Sequence, residues 1–257
     1  MAVHEIYVIL QRMKITVING TEQKGCTFSM KEFFLSMTGE RHNIIEFYLP
    51  RDCPVFCTGC KACFFRDISA CPHSQYTVPV WENILAADLL VFTSPTYVFH
   101  VTAQMKALLD HYATKWMAHS PEKPMFNKQA VIITNAIGQG MEKTAGDIKD
   151  SLDFWGIART YIIKQALFQA KWDDVDNKRK KAFETQCKRV AKKVISGKNV
   201  KPRFKIKFLF FVMKIAQIMI DKTERKAGRK RTKDYLHWEK NGWLDGKKPW
   251  KDYPPAN

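Results

Sequence analysis

Acidic residues are scarce in this chain: 25 Asp and Glu stand against 42 Lys and Arg in 257 residues, a net charge of +17. The N-terminus shows no basic start, apolar run and small-residue cleavage site in succession, so no secretory signal is read and a cytoplasmic location is expected. The longest apolar run, residues 201–221, is too short and too interrupted by charge to be read as a membrane span. Trp238, Trp243 and Trp250 stand among lysines. No known nucleic-acid-binding module is recognised around them, and nucleic acid is not an expected partner. In the cytoplasm, a tight group of cysteines points to metal binding or redox chemistry over a disulfide framework.

The charge is unevenly spread. Residues 171–257 hold 26 Lys and Arg against 10 Asp and Glu, which is +16, whereas residues 1–170 are nearly neutral. The chain therefore reads as a domain over 13–170 followed by a basic helical C-terminal extension over 171–257. Such an extension by its charge suits anionic lipid, nucleic acid or an acidic partner protein, or is a solvated face. Within it, Phe204, Phe208, Phe211, Ile215 and Ile218 share a helical stripe. Leu209, Val212, Ala216 and Met219 lie beside it, with Lys207, Lys214 and Asp221 on the narrow opposite side. A basic helix with a wide apolar face lies in a membrane interface or packs on protein, and packing is the expectation here. The tryptophan-bearing tail is expected to dock on the neutral domain.

The neutral part alternates strands with helices. "MKITVIN" (13–19), "NIIEFYL" (43–49), "DLLVFTS" (88–94), "QAVIITNA" (129–136) and "ARTYIIK" (158–164) are short runs rich in β-branched and aromatic residues, as buried parallel strands require. Met30, Phe33, Phe34 and Met37 fall at helical spacing, as do Met105, Leu108, Leu109 and Tyr112. Residues 140–156 read as a third helix stopped by Gly156. This alternation predicts a doubly wound α/β fold on a five-stranded parallel sheet. Residues 1–12, ahead of the natural first strand at Met13, read as an extension from an upstream start or as an added edge strand.

In such folds ligands gather outside the carboxyl ends of the strands, where strand order reverses. After the first strand, "GTEQKGCTFS" offers small residues, the hydroxyls of Thr21, Thr27 and Ser29, and a helix start suited to a phosphate. After the third, Pro95 restrains a turn that carries Tyr97 and Phe99, apolar surface where a loop is ordinarily polar. After the fourth, the glycines of "NAIGQG" permit close backbone approach. Phosphate cradle, aromatic wall and glycine strip suit one flat, phosphate-bearing cofactor.

"KITVINGT…KGCT", the cysteine run, "ADLLVFTSPTYVFHVTAQMKALLDH" and "ITNAIGQG" together resemble the flavodoxin-like NAD(P)H-dependent FMN reductases, in particular their iron–sulfur flavoprotein branch, over residues 13–165. The resemblance implies a flavodoxin-like fold and FMN, with the phosphate on Thr21, Gln23, Lys24, Cys26, Thr27 and Phe28. It implies the ring beside Ser94, Pro95, Thr96, Tyr97, Val98 and Phe99, and Asn135, Ala136, Ile137 and Gly138 near its polar edge. It further implies NAD(P)H as substrate, a quinone, flavin, nitroaromatic or protein as electron acceptor, and a homodimer with FMN near the interface. The alternative is an electron carrier without turnover of its own, docked to a membrane surface or acidic protein. No acid–base residue is assigned; Tyr97 and His100 are neighbours of the site, read as packing or surface groups. Two departures stand out. Thr21-Glu22-Gln23 replaces the family's frequent Ser-Pro-Arg, leaving Lys24 and backbone donors for the phosphate, and "CPHSQ" lacks the acids that often follow the last cysteine.

The cysteines Cys57, Cys60, Cys63 and Cys71 follow a CxxCxxCx7C spacing. Four thiolates that begin as CxxCxxC suit an iron–sulfur cluster, and the spacing falls within the range that the resembled branch uses for one [4Fe–4S] cluster. Zinc also accepts four cysteines, although usually from two CxxC knuckles on separate turns. A loop without metal is the third reading.

Overall fold

The computed structural model describes residues 12–39, 41–197 and 200–251. Both readings of the opening segment concern residues 1–12, of which residues 1–11 lie outside the described residues.

The runs of β-branched and aromatic residues form five strands: β1 (Lys14–Asn19), β2 (Asn43–Tyr48), β3 (Leu89–Pro95), β4 (Gln129–Ala136) and β5 (Arg159–Ala166). All neighbours pair in parallel, in the order β2-β1-β3-β4-β5. This is the expected doubly wound, flavodoxin-like sheet, and its order reverses between β1 and β3. The inner strands β3 and β4 are buried along almost their whole length, which is why they read as continuous apolar runs. β5 runs on to Ala166, past its expected end.

Helices α1 (Cys26–Ser36), α3 (Ser74–Ala86), α4 (Ala103–His111), α5 (Met141–Trp155) and α6 (Asn177–Ser196) cover the two faces. One face packs Ile18, Leu90, Phe92 and Ile132 against Trp81, Tyr112 and Trp155 from α3 to α5. The other packs Val17, Val91, Val131 and Ile163 against Met30 and Phe34 of α1 and Phe183 and Cys187 of α6. Helix α3, which carries Pro79 inside it, was not among the helices read from the sequence. Its buried residues Thr77, Val80, Trp81 and Ile84 nonetheless keep the spacing of one helix face. A short α2 (Ala62–Phe65) lies within the cysteine run. The basic segment contributes to the sheet's cover, since α6 turns Phe183, Val190 and Val194 inward and its lysines outward.

Beyond α6 come α7 (Phe204–Lys226) and α8 (Lys233–Lys240). The packed side of α7 differs from the expectation. Ile206, Phe210, Gln217 and Asp221 face inward, while Phe204, Phe208, Phe211, Ile215 and Ile218 stay exposed. The reason is the flat indole surface offered on the other side. Phe210 stacks on Trp238 with ring centroids 4.7 Å apart and meets Trp243 and Phe126 edge-on. Asp221, expected on the solvent side, is buried with Arg231 Nε 3.6 Å from its carboxylate. Trp238 also donates from Nε1 to the His119 carbonyl at 3.0 Å, anchoring the tail to the sheet domain. Among the described residues no helix is long and apolar enough to cross a membrane.

Candidate functional site

Three loops leave the carboxyl ends of β1, β3 and β4 and are bonded to one another. Gly20 ties the first to the third: its N–H donates to Thr93 O (2.7 Å), and its carbonyl accepts from Thr102 Oγ1 (2.8 Å) and Gln104 Nε2 (2.9 Å). A Cβ at residue 20 would come 2.8 Å from Thr93 O, so glycine is required for this approach. Thr27 Oγ1 donates to Asn135 Oδ1, joining the first loop to the fourth. Thr96 N–H donates to Asn135 O (2.9 Å) and Thr144 Oγ1 to Thr96 Oγ1 (2.9 Å), joining the third to the fourth. Thr102, Gln104 and Thr144 were missed from sequence, because a hydroxyl or amide at a helix start carries no signal of the distant oxygen it reaches.

The first loop opens α1 with Gly25 as N-cap and no side chain bonded to the helix end. The first-turn N–H groups, with the helix dipole behind them, are thereby left to an anionic ligand. Thr21 Oγ1 accepts from Gln23 N–H (3.2 Å), and Gln23 and Lys24 are exposed. Cys26 turns its thiol to the Ala170 carbonyl (3.3 Å) and is raised by burial, so its backbone N–H is what it has left for a ligand. Lys24 Nζ lies 5.6 Å from the Phe28 ring centroid. A cation the sequence reading did not single out lies closer: Lys31 Nζ is 4.3 Å from that ring and pairs with Glu46 (2.6 Å) and Glu32 (2.6 Å).

The third loop is a tight turn. Tyr97 and His100 exchange backbone hydrogen bonds of 2.9 and 3.0 Å, and both intervening residues have positive φ, 48° at Val98 and 66° at Phe99. Val98 is 91% exposed, and Tyr97, Phe99 and Ile137 are exposed beside it. His100 Nδ1 and the Val101 N–H both meet Asp147 Oδ2 at 3.1 Å, which pins the turn to α5. Ser94 and Ala136 are buried, Ser94 bonding within its own loop, whereas Pro95, Thr96, Asn135 and Gly138 are half-buried. These residues fit a flat ligand with an anionic tail: free N–H groups at one end, an exposed apolar wall at the other.

The cysteine run follows β2 and so opens on the same edge of the sheet. Cys57 and Cys60 are exposed, and Cys63 and Cys71 half-buried, all as free thiols. The Cys63 thiol is raised, by burial first and then by its neighbours Cys71, Cys57 and Cys60. Phe64 packs edge-on against His119 at 4.8 Å, and Phe65 is 78% exposed. Lys233 Nζ of α8 donates to Cys63 O (3.2 Å), bringing the tail to the run. A single ion would need ligand atoms closer together than these four sulfurs are. Among the described residues the one group of three or more within 4.8 Å is Cys71, His73 and His111. The histidines were missed from sequence, since His111 lies 40 residues beyond Cys71 and only the fold joins them. His73 Nδ1 is 3.1 Å from His111 Nε2, and burial pulls the His111 imidazole down.

The family model for NADPH-dependent FMN reductase matches residues 13–172. The chain is 27% identical over 99 residues to an iron–sulfur flavoprotein of Methanocaldococcus jannaschii, covering 38% of this chain and 50% of that protein. It is 30% identical over 99 residues to an iron–sulfur flavoprotein of Archaeoglobus fulgidus, covering 38% and 48%. The chain thus spans about half the length of the curated relatives it matches. Among solved structures, an azoreductase from Bacillus anthracis str. Sterne is similar with a TM-score of 0.56 at 13% identity, over 70% of this chain and 99% of that one. An FMN-dependent NADH-azoreductase from Bacillus anthracis str. Ames Ancestor, in complex with FMN, gives 0.52 at 15% identity over 69% and 99%. At these identities the solved structures speak for the fold.

Proposed function

The chain belongs to the NADPH-dependent FMN reductase family, and from that premise we propose that it is a cytoplasmic FMN-dependent oxidoreductase that takes hydride from NAD(P)H. The observation that carries this reading is the set of three bonded loops around an uncapped helix start and an exposed apolar turn. When bound, FMN supplies hydride acceptance and onward electron delivery to a quinone, flavin, nitroaromatic or protein, and a [4Fe–4S] cluster supplies single-electron transfer.

The protein's part is binding and positioning. The N–H groups of the first turn of α1, with Thr21, Gln23, Lys24 and Phe28 around them, hold the phosphate, and Lys24 adds the charge that an arginine would have supplied. Thr27 and Asn135 brace each other and set the distance between phosphate loop and polar edge. Tyr97, Val98 and Phe99 keep water from the ring, and a second subunit laid over this turn would complete the enclosure. Ile137 and Gly138 border the ring's polar edge. No side chain is required to hold a proton for hydride transfer.

Cys57, Cys60, Cys63 and Cys71 would hold the cluster, on the side of the sheet where the flavin loops open. Two observations support this: the Cys63 thiol is raised by burial and by its neighbours Cys71, Cys57 and Cys60, and two curated relatives are named iron–sulfur flavoproteins. A single zinc on the same four sulfurs is disfavoured by their separation. The exposed stripe of α7, flanked by Lys205, Lys207 and Lys214, supports attachment to an anionic membrane surface, with the sheet domain of residues 13–170 carried above it. Two such tails would repel each other, which argues against self-association through this face.

The test is to purify the protein without oxygen, measure FMN and iron, and follow NADPH and NADH oxidation. One FMN per chain with oxidation by the protein alone is expected. FMN without turnover, until a partner is added, would make the chain an electron carrier, and absence of FMN binding would refute the site. Cys60→Ser is expected to remove iron and leave FMN.

A further inference from the structure

We propose that Cys71, His73 and His111 form a binding site for a single thiophilic divalent ion of the zinc type, distinct from the four-cysteine set although it shares Cys71. Their ligand atoms lie within 4.8 Å of one another. The two imidazole nitrogens are 3.1 Å apart, and in a tetrahedral zinc site with Zn–N near 2.0 Å such nitrogens lie about 3.3 Å apart. One thiolate, two imidazoles and an open position form a donor set that suits zinc, cobalt or a similar ion, and the half-buried Cys71 and His73 leave that fourth position to water.

The surrounding bonds orient the ligands. His111 ends α4, buried to 4% exposure, and its Nδ1 donates to Ala107 O at 2.8 Å. Its Nε2 lone pair is therefore the one that faces the site, an arrangement common among metal-bound histidines. His73 stands at the N-cap of α3, and its backbone N–H donates to Cys71 Sγ at 3.4 Å, which fixes where the sulfur points. Two helices on one face of the sheet thus hold two of the three ligands. On binding, the Cys71 thiol loses its proton to solvent. The His73 hydrogen that bridges to His111 Nε2 moves from Nδ1 to Nε2, so one proton is released per ion.

Because Cys71 is common to both sets, a chain holding the single ion cannot also ligate a cluster with all four cysteines. Iron loading and zinc loading are then mutually exclusive.

The experiment uses Co²⁺ as probe on iron-free, reduced, full-length protein. One Co²⁺ per chain is expected, with a thiolate-to-cobalt band in the near ultraviolet and the intense visible absorption of a tetrahedral ion. His111→Gln and His73→Gln should each weaken Co²⁺ binding at least tenfold. Cys60→Ser should bind Co²⁺ as the wild type does. The half-exposed His73 provides a variant that does not depend on the core tolerating a change at His111, and circular dichroism checks both folds. If both histidine variants bind Co²⁺ as wild type does, or if Cys60→Ser abolishes binding, the site is refuted and the four cysteines are the ion's ligands. FMN content, read from flavin absorbance in the same samples, tests the reductase reading separately.

Discussion

Val98 and Phe99 occupy the two central positions of a tight turn in which both residues have positive φ. Asn-Gly is the usual occupant of such turns, and a non-glycine residue there costs about 1–3 kcal/mol. The exposed Val98 side chain recovers none of that by burial within the chain. The double substitution Val98→Asn with Phe99→Gly is therefore expected to raise the Tm of flavin-free protein by several degrees while weakening FMN binding about tenfold. Thermal melting and flavin titration measure the two effects, and unchanged FMN affinity would show that the turn does not serve the flavin. Glu46 invites a different experiment. Burial raises its carboxyl, but hydrogen bonds from Lys31 (2.6 Å), Asn19 (2.9 Å) and Tyr48 (2.9 Å) outweigh burial and hold it below its ordinary 4.5. A carboxyl lowered in the folded state stabilises above its unfolded pKa and loses that contribution as pH falls through the folded value. Glu46→Gln should accordingly flatten the decline in stability from about pH 5 to about pH 3, read by urea unfolding at a series of pH values. An equally steep decline in the variant would assign the acid sensitivity to other carboxyls.

At the scale of elements, α7 has two apolar sides with different work. Phe210 lies in the aromatic group with Trp238, Trp243 and Phe126, and Phe210→Ala is expected to cost about 3–5 kcal/mol of stability. Phe208 and Phe211 are more than half exposed, so Phe208→Ser with Phe211→Ser should leave the Tm within a few degrees and abolish sedimentation with anionic vesicles. If the double variant still sediments with vesicles, the stripe is not the contact. The α3 helix illustrates the opposite relation of sequence to element. Its apolar face is regular although Pro79 lies inside it, and it was not among the helices read from the sequence.

At the scale of the whole molecule, charge and chemistry are separated. The excess of basic over acidic residues lies in the last third of the chain, and the loops that gather for a ligand lie on one edge of the sheet. If the tail holds the protein to lipid by charge as well as by α7, vesicle binding should fall severalfold between about 0.01 M and 0.15 M salt, as the Debye length shortens from about 30 Å to about 8 Å. Salt-insensitive binding would mean that the apolar stripe acts alone.

The sequence by itself determined the sheet, its strand boundaries to within two residues, and the identity of the three carboxyl-end loops. Each depends on local information: runs of β-branched residues, helical spacing such as Met30 to Met37, and turn residues at strand ends. It also placed the four cysteines close together along the chain. What only the tertiary structure decided involves partners far apart in sequence or choices between two faces of one element. Gly20 meets Thr102 and Gln104, and His73 meets His111, because the crossover connections bring α4 beside β1 and α3. The helix α7 has apolar residues on more than one side, so its periodicity could not say which would be buried. The indoles of Trp238 and Trp243 selected Phe210, and the stripe that looked most suited to packing was left facing outward.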